Sequence, residues 1–259
     1  MSGNQEFKMD GKKLRAYKGP GGDVVVPDGV IKICAYAFED CASLTRITLP
    51  EGVEVIDVRA FQNCTGLTEV VLPSSLREID SSAFAGCTSL TQVAIPQGIT
   101  EIGWKVFQDC TGLKQVTLPK GLTAIQTEAF SGCTSLTQVT IPQGVTSIQN
   151  GAFQGCTGLT GIDLPDSVTE IDGDAFRDCT SLTSFTIPRQ VSFQGWGGTG
   201  YNVFVGCLNL KDLRVAEGNP YLTVESGALY NSDRTVLIAW PGAEGHVELP
   251  DTITRLSGQ

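Results

Sequence analysis

The chain has 259 residues, a length that allows one large domain or two ordinary ones. Its formal charge of −10 disfavours nucleic acid and anionic membrane surfaces as partners, because binding to either needs clustered Lys and Arg. No apolar run reaches the roughly 18 residues of a membrane-spanning helix, and residues 1–10 lack the apolar core of a secretory signal, which leaves a cytoplasmic location open.

The chain opens on a segment that favours a β-hairpin. Residues 7–14 read FKMDGKKL, and the pair Asp10-Gly11 is typical of a tight type I′ turn between two strands. The exposed end of a stacked-coil protein has to be covered. We therefore expect residues 1–20 to form a hairpin that caps the first coil.

A 23-residue period extends from about residue 21 to residue 256, and three residue types carry it in one register. The series are Phe38, Phe61, Phe84, Phe107, Phe130, Phe153 and Phe176; Pro27, Pro50, Pro73, Pro96, Pro119, Pro142, Pro165 and Pro188; and Cys41, Cys64, Cys87, Cys110, Cys133, Cys156 and Cys179. Self-similarity at a fixed period of this length predicts a repeat solenoid.

One coil, residues 136–158, shows what each part of the repeat predicts. Apolar residues alternate with Thr and Gln over 136–141, which predicts a strand with one buried face. The corner at 142–144 reads Pro-Gln-Gly, which suits the second to fourth residues of a type I turn. Residues 145–148 indicate a second short strand, and the spacing of Ala, Phe and Cys over 150–156 predicts a helical turn.

A single coil cannot bury its apolar positions, so we expect the coils to stack about 4.8 Å apart as parallel strands. The consensus L-x-x-V-x-I-P-x-x-V-x-x-I-x-x-x-A-F-x-x-C, present at residues 136–156, resembles the BspA-type leucine-rich repeats of bacterial surface proteins. The resemblance covers roughly residues 21–256. It implies a right-handed leucine-rich-repeat coil with a parallel β-sheet on the concave face, and short strands and helical turns on the other sides.

The period breaks once in the middle, where 28 residues instead of 23 separate Cys179 from Cys207. The insertion falls at residues 193–204, FQGWGGTGYNVF, and introduces Trp196 and Tyr201. These aromatic side chains either bind a partner or pack on the side of the solenoid. The segment also matches G-x-G-x-x-G, but the following helix and the βαβ unit of a dinucleotide site are missing, so we predict a loop and no cofactor.

A second irregular stretch, at about residues 215–245, favours an atypical coil with an extra hairpin. The repeat resumes at 247–250 and stops at Gln259 without its Ala-Phe-x-x-Cys half. Residues 257–259 are therefore expected to be a truncated end, and the chain a fragment of a longer array.

The sequence predicts no catalytic or metal site. Zinc sites need short Cys-x-x-Cys pairs and stacked cysteines have poor disulfide geometry, so we expect the register cysteines to be buried free thiols. Cys34 lies outside the register and is expected to be partly exposed. The single histidine, His246, has no recognisable nucleophile near it, and Asp172 and Asp174 suit a solvated acidic surface better than a cation site.

A partner would bind best at the outward positions of the first strands, which are mostly Thr and Gln, and at the insertion. The candidate partner-binding residues are Gln92, Gln115, Thr117, Gln138, Thr140, Asp163, Thr186, Trp196 and Tyr201. Threonine also suits β-structure for packing reasons alone, so a purely structural interpretation of the face stays open. Trp104 has the same two interpretations as Trp196.

The family resemblance implies a non-catalytic protein-binding or adhesion module of a cell-surface or secreted protein. Its partner would be a host, matrix or other protein, or a glycan. Two alternatives remain at this point. The chain is an intracellular interaction scaffold, or it is a rigid structural spacer.

Overall fold

The computed structural model describes residues 6–193, 202–241 and 249–256. Trp196, Tyr201, His246, most of the predicted insertion and the predicted truncated end lie outside the described residues. The described chain consists of short β-strands joined by turns. In chain order the strands are β1 (Phe7–Asp10), β2 (Lys13–Tyr17), β3 (Gly22–Val25), β4 (Lys32–Ile33), β5 (Leu44–Thr48), β6 (Val55–Ile56), β7 (Glu69–Val71), β8 (Glu78–Ile79), β9 (Gln92–Ala94), β10 (Gln115–Thr117), β11 (Ala124–Ile125), β12 (Ser147–Ile148), β13 (Glu170–Ile171), β14 (Ser184–Ile187), β15 (Asp212–Val215), β16 (Leu222–Glu225), β17 (Ala228–Asn231), β18 (Val236–Ala239) and β19 (Arg255–Leu256).

Successive coils stack through parallel strand pairs, which confirms the predicted solenoid. The first strands of the coils pair as β3-β5-β7, β9-β10 and β14-β15, and the second strands as β2-β4-β6-β8 and β11-β12-β13. Val93 lies opposite Val116, and Ile56 opposite Ile79, so partners are one repeat apart. Each repeat position therefore forms a row that runs along the solenoid. The antiparallel hairpin β1-β2 extends the second-strand sheet at its N-terminal edge.

Stacked phenylalanine rings form the central column of the core. From Phe38 to Phe176 the neighbouring ring centroids are 4.9 to 5.7 Å apart and the rings lie within 17° of parallel. Tyr17 stacks on Phe38 at 5.0 Å, so the hairpin strand β2 supplies the ring that covers the first phenylalanine. All seven phenylalanines of this column are fully buried, which makes it the largest apolar contribution to folding.

The turn segment around each phenylalanine is not helical, so the helical turns predicted for this side, as at 150–156, are wrong. Among the described residues no α-helix forms. Arg59 and Asn63, two positions before and after Phe61, have left-handed φ values of 55° and 57°, which a right-handed helix does not allow. The N–H of Phe61 donates to the carbonyl of Ala83 in the next coil at 2.8 Å instead of bonding within its own turn.

The corner prolines close a turn one place earlier than the sequence suggested. The carbonyl of Pro142 accepts the N–H of Val145 at 3.1 Å, so the proline is the first residue of the turn and Gly144 the third. The same bond follows Pro96 and Pro119. Proline is tolerated here because the missing N–H falls at the end of a strand.

The register cysteines point into the core beside the phenylalanines, and their thiols are hydrogen-bonded. From Cys64 to Cys207, each thiol donates to the carbonyl of the phenylalanine in the preceding coil, with sulfur–oxygen distances of 3.0 to 3.2 Å. Burial raises the pKa of both Cys110 and Cys156 to about 12, so these thiols stay protonated. The predicted burial of the thiols is confirmed for this series.

The two N-terminal cysteines differ from the expectation. Cys41, the first of the register, is only half-buried, and its burial raises the pKa to about 11. Cys34, expected to be partly exposed, is buried with 6% of its surface accessible. The N-terminal hairpin packs beside it, because the N–H of Cys34 donates to the carbonyl of Leu14 in β2 at 2.9 Å.

The described part of the stretch at about 215–245 departs from simple coil stacking. Strands β16, β17 and β18 form an antiparallel meander, and β19 pairs in parallel with β18. Asn219 connects this meander to the regular coils, because its side-chain amide donates to the carbonyls of Pro188 and Val191 at 3.0 Å each.

Candidate functional site

The outward side chains of the first strands from β5 to β15 form a continuous row of surface positions, here called the strand face. Inward and outward residues alternate along each strand, so Val93 and Val116 are buried while Gln92 and Thr117 are exposed. Threonine hydroxyls tie adjacent coils together on this face, as where Thr68 donates to the carbonyl of Thr45 at 3.0 Å. The polar side chains thus sit on a regular framework.

Two of the depressions on the strand face together contain all the described candidate residues. The first has a volume of about 330 Å³ and is lined by Gln92, Gln115 and Thr117 together with Glu69 and Val71. The second has a volume of about 410 Å³, and its lining includes Gln138, Thr140, Asp163 and Thr186. The sequence therefore placed these seven side chains on one face, but not their division into two groups.

The second depression coincides with an interruption of the first-strand sheet. Between β10 and β14, residues 137–141 and 159–164 form no strand ladder, and the N–H of Thr160 reaches the carbonyl of Thr137 at 3.3 Å. Gly161 lies within the depression, and nothing would stand within 4 Å of a Cβ atom placed there. The depression thus includes a position at which the coil carries no side chain.

The strand face is nearly uncharged in its middle. Arg46 and Glu69 form an exposed ion pair of 2.9 Å towards its N-terminal end, and Asp212 and Arg214 form one of 2.7 Å towards its C-terminal end. Between them, Asp163 brings a carboxylate into the second depression. Hydrogen bonding by amides and hydroxyls is therefore the main chemistry that this face offers.

One apolar residue that was not among the predicted candidates, Val71, contributes to the same site. Val71 is 54% exposed and lines the first depression beside Gln92. Alternation along β7 places it outward, so its position could have been found from the sequence. It adds an exposed apolar side chain to the lining of the first depression.

The described residues offer no group of three or more His, Cys, Asp or Glu side chains arranged to hold a metal ion. Asp174, one of the two carboxylates considered for a cation, pairs with Arg177 at 3.3 Å, and burial raises the pKa of the other, Asp172. A search of the described segments for a helix long and apolar enough to cross a membrane finds none.

Comparison with known proteins adds the family to this geometry. The family described as the BspA type leucine rich repeat region matches the chain in six copies, over residues 20–136 and 104–234. No functionally curated protein matches the sequence.

Solved structures show the same coil architecture. A leucine-rich-repeat protein of T. pallidum (TpLRR) is 37% identical, with a TM-score of 0.63, over 66% of this chain and 82% of that one. A leucine rich cell surface protein of Faecalibacterium prausnitzii is 26% identical with a TM-score of 0.63, over 98% of this chain and 65% of that one. A leucine-rich-repeat protein of Bacteroides ovatus shares the fold at 23% identity and a TM-score of 0.51, over 80% of this chain and 72% of that one.

Proposed function

Because the chain belongs to the BspA-type leucine-rich-repeat family, we propose that it is a non-catalytic protein-binding module of a cell-surface or secreted protein. Proteins of this repeat family are generally protein-interaction modules. The relative from F. prausnitzii carries the description of a cell surface protein, which supports the proposed location.

The observation that carries the proposal is the pair of depressions on the strand face. They lie on adjoining coils, from Gln92 to Thr186, and expose amides and hydroxyls with little charge. Side chains of this kind form adaptable hydrogen bonds, and the stacked coils hold them at fixed spacing. A partner protein that follows the solenoid axis would contact several coils at once, as extended repeat surfaces allow.

Trp196 and Tyr201 complete the proposed site as its aromatic anchors. Both residue types are enriched at the energetic centres of protein interfaces. Because they lie outside the described residues, their part in binding rests on the sequence alone, and it is tested separately from the strand face.

The experiment compares two substitutions in the same coil on an array of purified extracellular-matrix proteins and glycans. Gln138 is exposed on the strand face, whereas Gln143 is exposed at the Pro-Gln-Gly corner, so arginine can be accommodated at either position. For a protein that binds the unmodified chain, Gln138→Arg should weaken binding at least about tenfold, because a charged side chain fills the second depression. Gln143→Arg should leave the affinity unchanged.

The proposal fails if no protein on the array binds, or if Gln138→Arg and Gln143→Arg have equal effects. Trp196→Ala on the same array tests the insertion. An unchanged affinity would remove Trp196 from the site and leave the strand face as the proposed surface. Binding to glycans alone would replace the proposed protein partner by a carbohydrate.

A rigid spacer is the second candidate function, and the ring column from Tyr17 to Phe204 favours it. This unbroken stack resists bending because every coil is packed on two neighbours. A spacer would bind nothing on the array, and it would tolerate every strand-face substitution. An intracellular scaffold would instead bind cytoplasmic proteins through the same face.

A further inference from the structure

A third concavity, of about 490 Å³, lies on a different side of the solenoid from the strand face. It is formed by two adjacent coils where their second strands pass into the turn segments, and its lining includes Glu78, Asp80, Glu101, Gly103 and Trp104. None of the residues that line it also lines the depressions of the strand face. It is therefore a separate surface that the proposed function does not use.

One of the two coils departs from the repeat at two adjacent positions that line the concavity. Gly103-Trp104 stands where the preceding coil has Asp80-Ser81 and the next has Gln126-Thr127. Glycine is required by packing, since a Cβ atom at position 103 would lie 2.3 Å from the backbone nitrogen of Ser81. Glycine thus lets the two coils approach closely at this point, and the adjacent tryptophan lines the concavity.

Trp104 is exposed but held in place. Its side chain is 61% accessible, whereas its indole N–H donates to the Oε1 atom of Gln126 at 3.2 Å. Gln126 is itself 7% exposed and donates to a carboxylate oxygen of Glu101 at 2.9 Å. The ring is thus oriented before any partner arrives, which lowers the entropic cost of binding to its face.

The charges around the ring select the partner. Glu78, Asp80 and Glu101 bring three carboxylates to the lining, and Arg77 is the single basic side chain among the described residues there. One nitrogen of Arg77 donates to the carbonyls of Ser74 and Leu76 at 2.9 Å each, so this guanidinium is already bonded to its own coil. The surplus negative charge favours a cation, and a tryptophan face is the best aromatic surface for one.

We propose that Trp104, with the carboxylates of Glu78 and Glu101, forms a binding site for an arginine or lysine side chain of a basic partner peptide. The cation would lie over the exposed indole face with the carboxylates beside it. A neutral sugar could stack on the same ring, but it would leave the carboxylate surplus uncompensated. The site lies apart from the strand face, so either proposal can fail without the other.

The test uses the full chain, labelled with ¹⁵N, and the peptide acetyl-(Gly-Arg)₄-amide. The chain has three tryptophans, and loss of one indole signal in Trp104→Phe assigns Trp104. We expect the peptide to shift this signal, and Trp104→Ala to lower the affinity about tenfold, as read from the backbone amides of residues 101–105. Trp104→Phe should lower the affinity less, because phenylalanine keeps an aromatic face. The phenylalanine variant also provides the readout should the alanine variant fail to fold.

A matched pair of glutamates tests the charge. Glu78 and Glu170 occupy the same position of the repeat, but Glu170 lies several coils from Trp104. Glu78→Gln should weaken peptide binding about threefold at low ionic strength and much less in 0.5 M salt, whereas Glu170→Gln should not change it. Equal effects of the two changes, unchanged affinity in Trp104→Ala, or equally tight binding of acetyl-(Gly-Gln)₄-amide or maltotetraose would overturn the proposal.

Discussion

In the turn segments around Phe107 and Phe130, ring, thiol and backbone are all engaged with a neighbouring coil, whereas on the strand face between β10 and β14 even the backbone ladder is interrupted. Both regions repeat with the same period. The difference shows where the solenoid derives its stability. The turn side fixes the stacking of the coils, and this leaves the strand face free to vary its side chains and its depth.

Removal of one ring from the column tests this division most strongly. Phe130 stacks on Phe107 at 5.6 Å and on Phe153 at 5.5 Å, so Phe130→Ala should cost about 3–5 kcal/mol of unfolding free energy. Thr117→Ala, on the strand face of the same coil, should stay within about 0.5 kcal/mol. Urea unfolding followed by circular dichroism measures both. Similar losses for the two variants would show that the strand face stabilises the coils as much as the ring column does.

Alkaline pH tests the thiols of the turn side as a group. Burial raises the pKa of Cys110, Cys156 and Cys207 to about 12, against an ordinary value of 9.0. Above pH 9 the unfolded chain loses these protons and the folded chain keeps them, so stability falls as pH rises towards 12. At pH 10 each of these thiols should lower the free energy of unfolding by about 1.4 kcal/mol, and the three together by about 4 kcal/mol.

Urea midpoints between pH 8 and pH 10.5 follow this loss of stability. The control is a variant in which three cysteines, Cys110, Cys156 and Cys207, are changed to alanine. Its stability at pH 8 should be lower than that of the unmodified chain, but between pH 8 and pH 10 it should lose less stability than the unmodified chain. If the urea midpoints of the variant and the unmodified chain decrease equally with pH, other groups cause the loss of stability at alkaline pH. The half-buried Cys41 should also be alkylated before the fully buried register thiols at pH 8.

The spacing of Phe, Pro and Cys was sufficient to predict the stacked coils, because each of these residues fills one sterically defined position. The turn geometry was not predictable from the same spacing, since apolar residues three apart suit a helix and a row of stacked turns equally. Arg59 and Glu128 adopt left-handed φ although neither residue type marks that conformation. A signal was present two places after each phenylalanine, where Asn63, Asp109 and Gly132 are types that tolerate it.

The candidate site was predictable to a similar extent. Alternation along the strands correctly places Gln92 and Gln138 outward, since a strand with one buried face must expose every second residue. The lining of the depression around Gly161 and the orientation of Trp104 depend on contacts between adjacent coils. These contacts join different repeats, so no single repeat encodes them.

Two glycines test the same contrast on a smaller scale. Gly151 is in the turn segment with φ of 61°, and a Cβ there would meet Glu128 at 3.1 Å, so Gly151→Ala should cost about 1 kcal/mol. Gly161 on the strand face has an ordinary φ and open space around it, so Gly161→Ala should be neutral or stabilise by about 0.5 kcal/mol through a less flexible unfolded chain. Thermal midpoints of the two variants give the comparison directly. Because Gly161 lines the second depression, Gly161→Ala also tests binding. A variant that keeps its stability but binds the partner more weakly would separate the binding surface from the framework that carries it. A loss of stability at Gly161 equal to that at Gly151 would mean that the interrupted sheet is as tightly constrained as the turns.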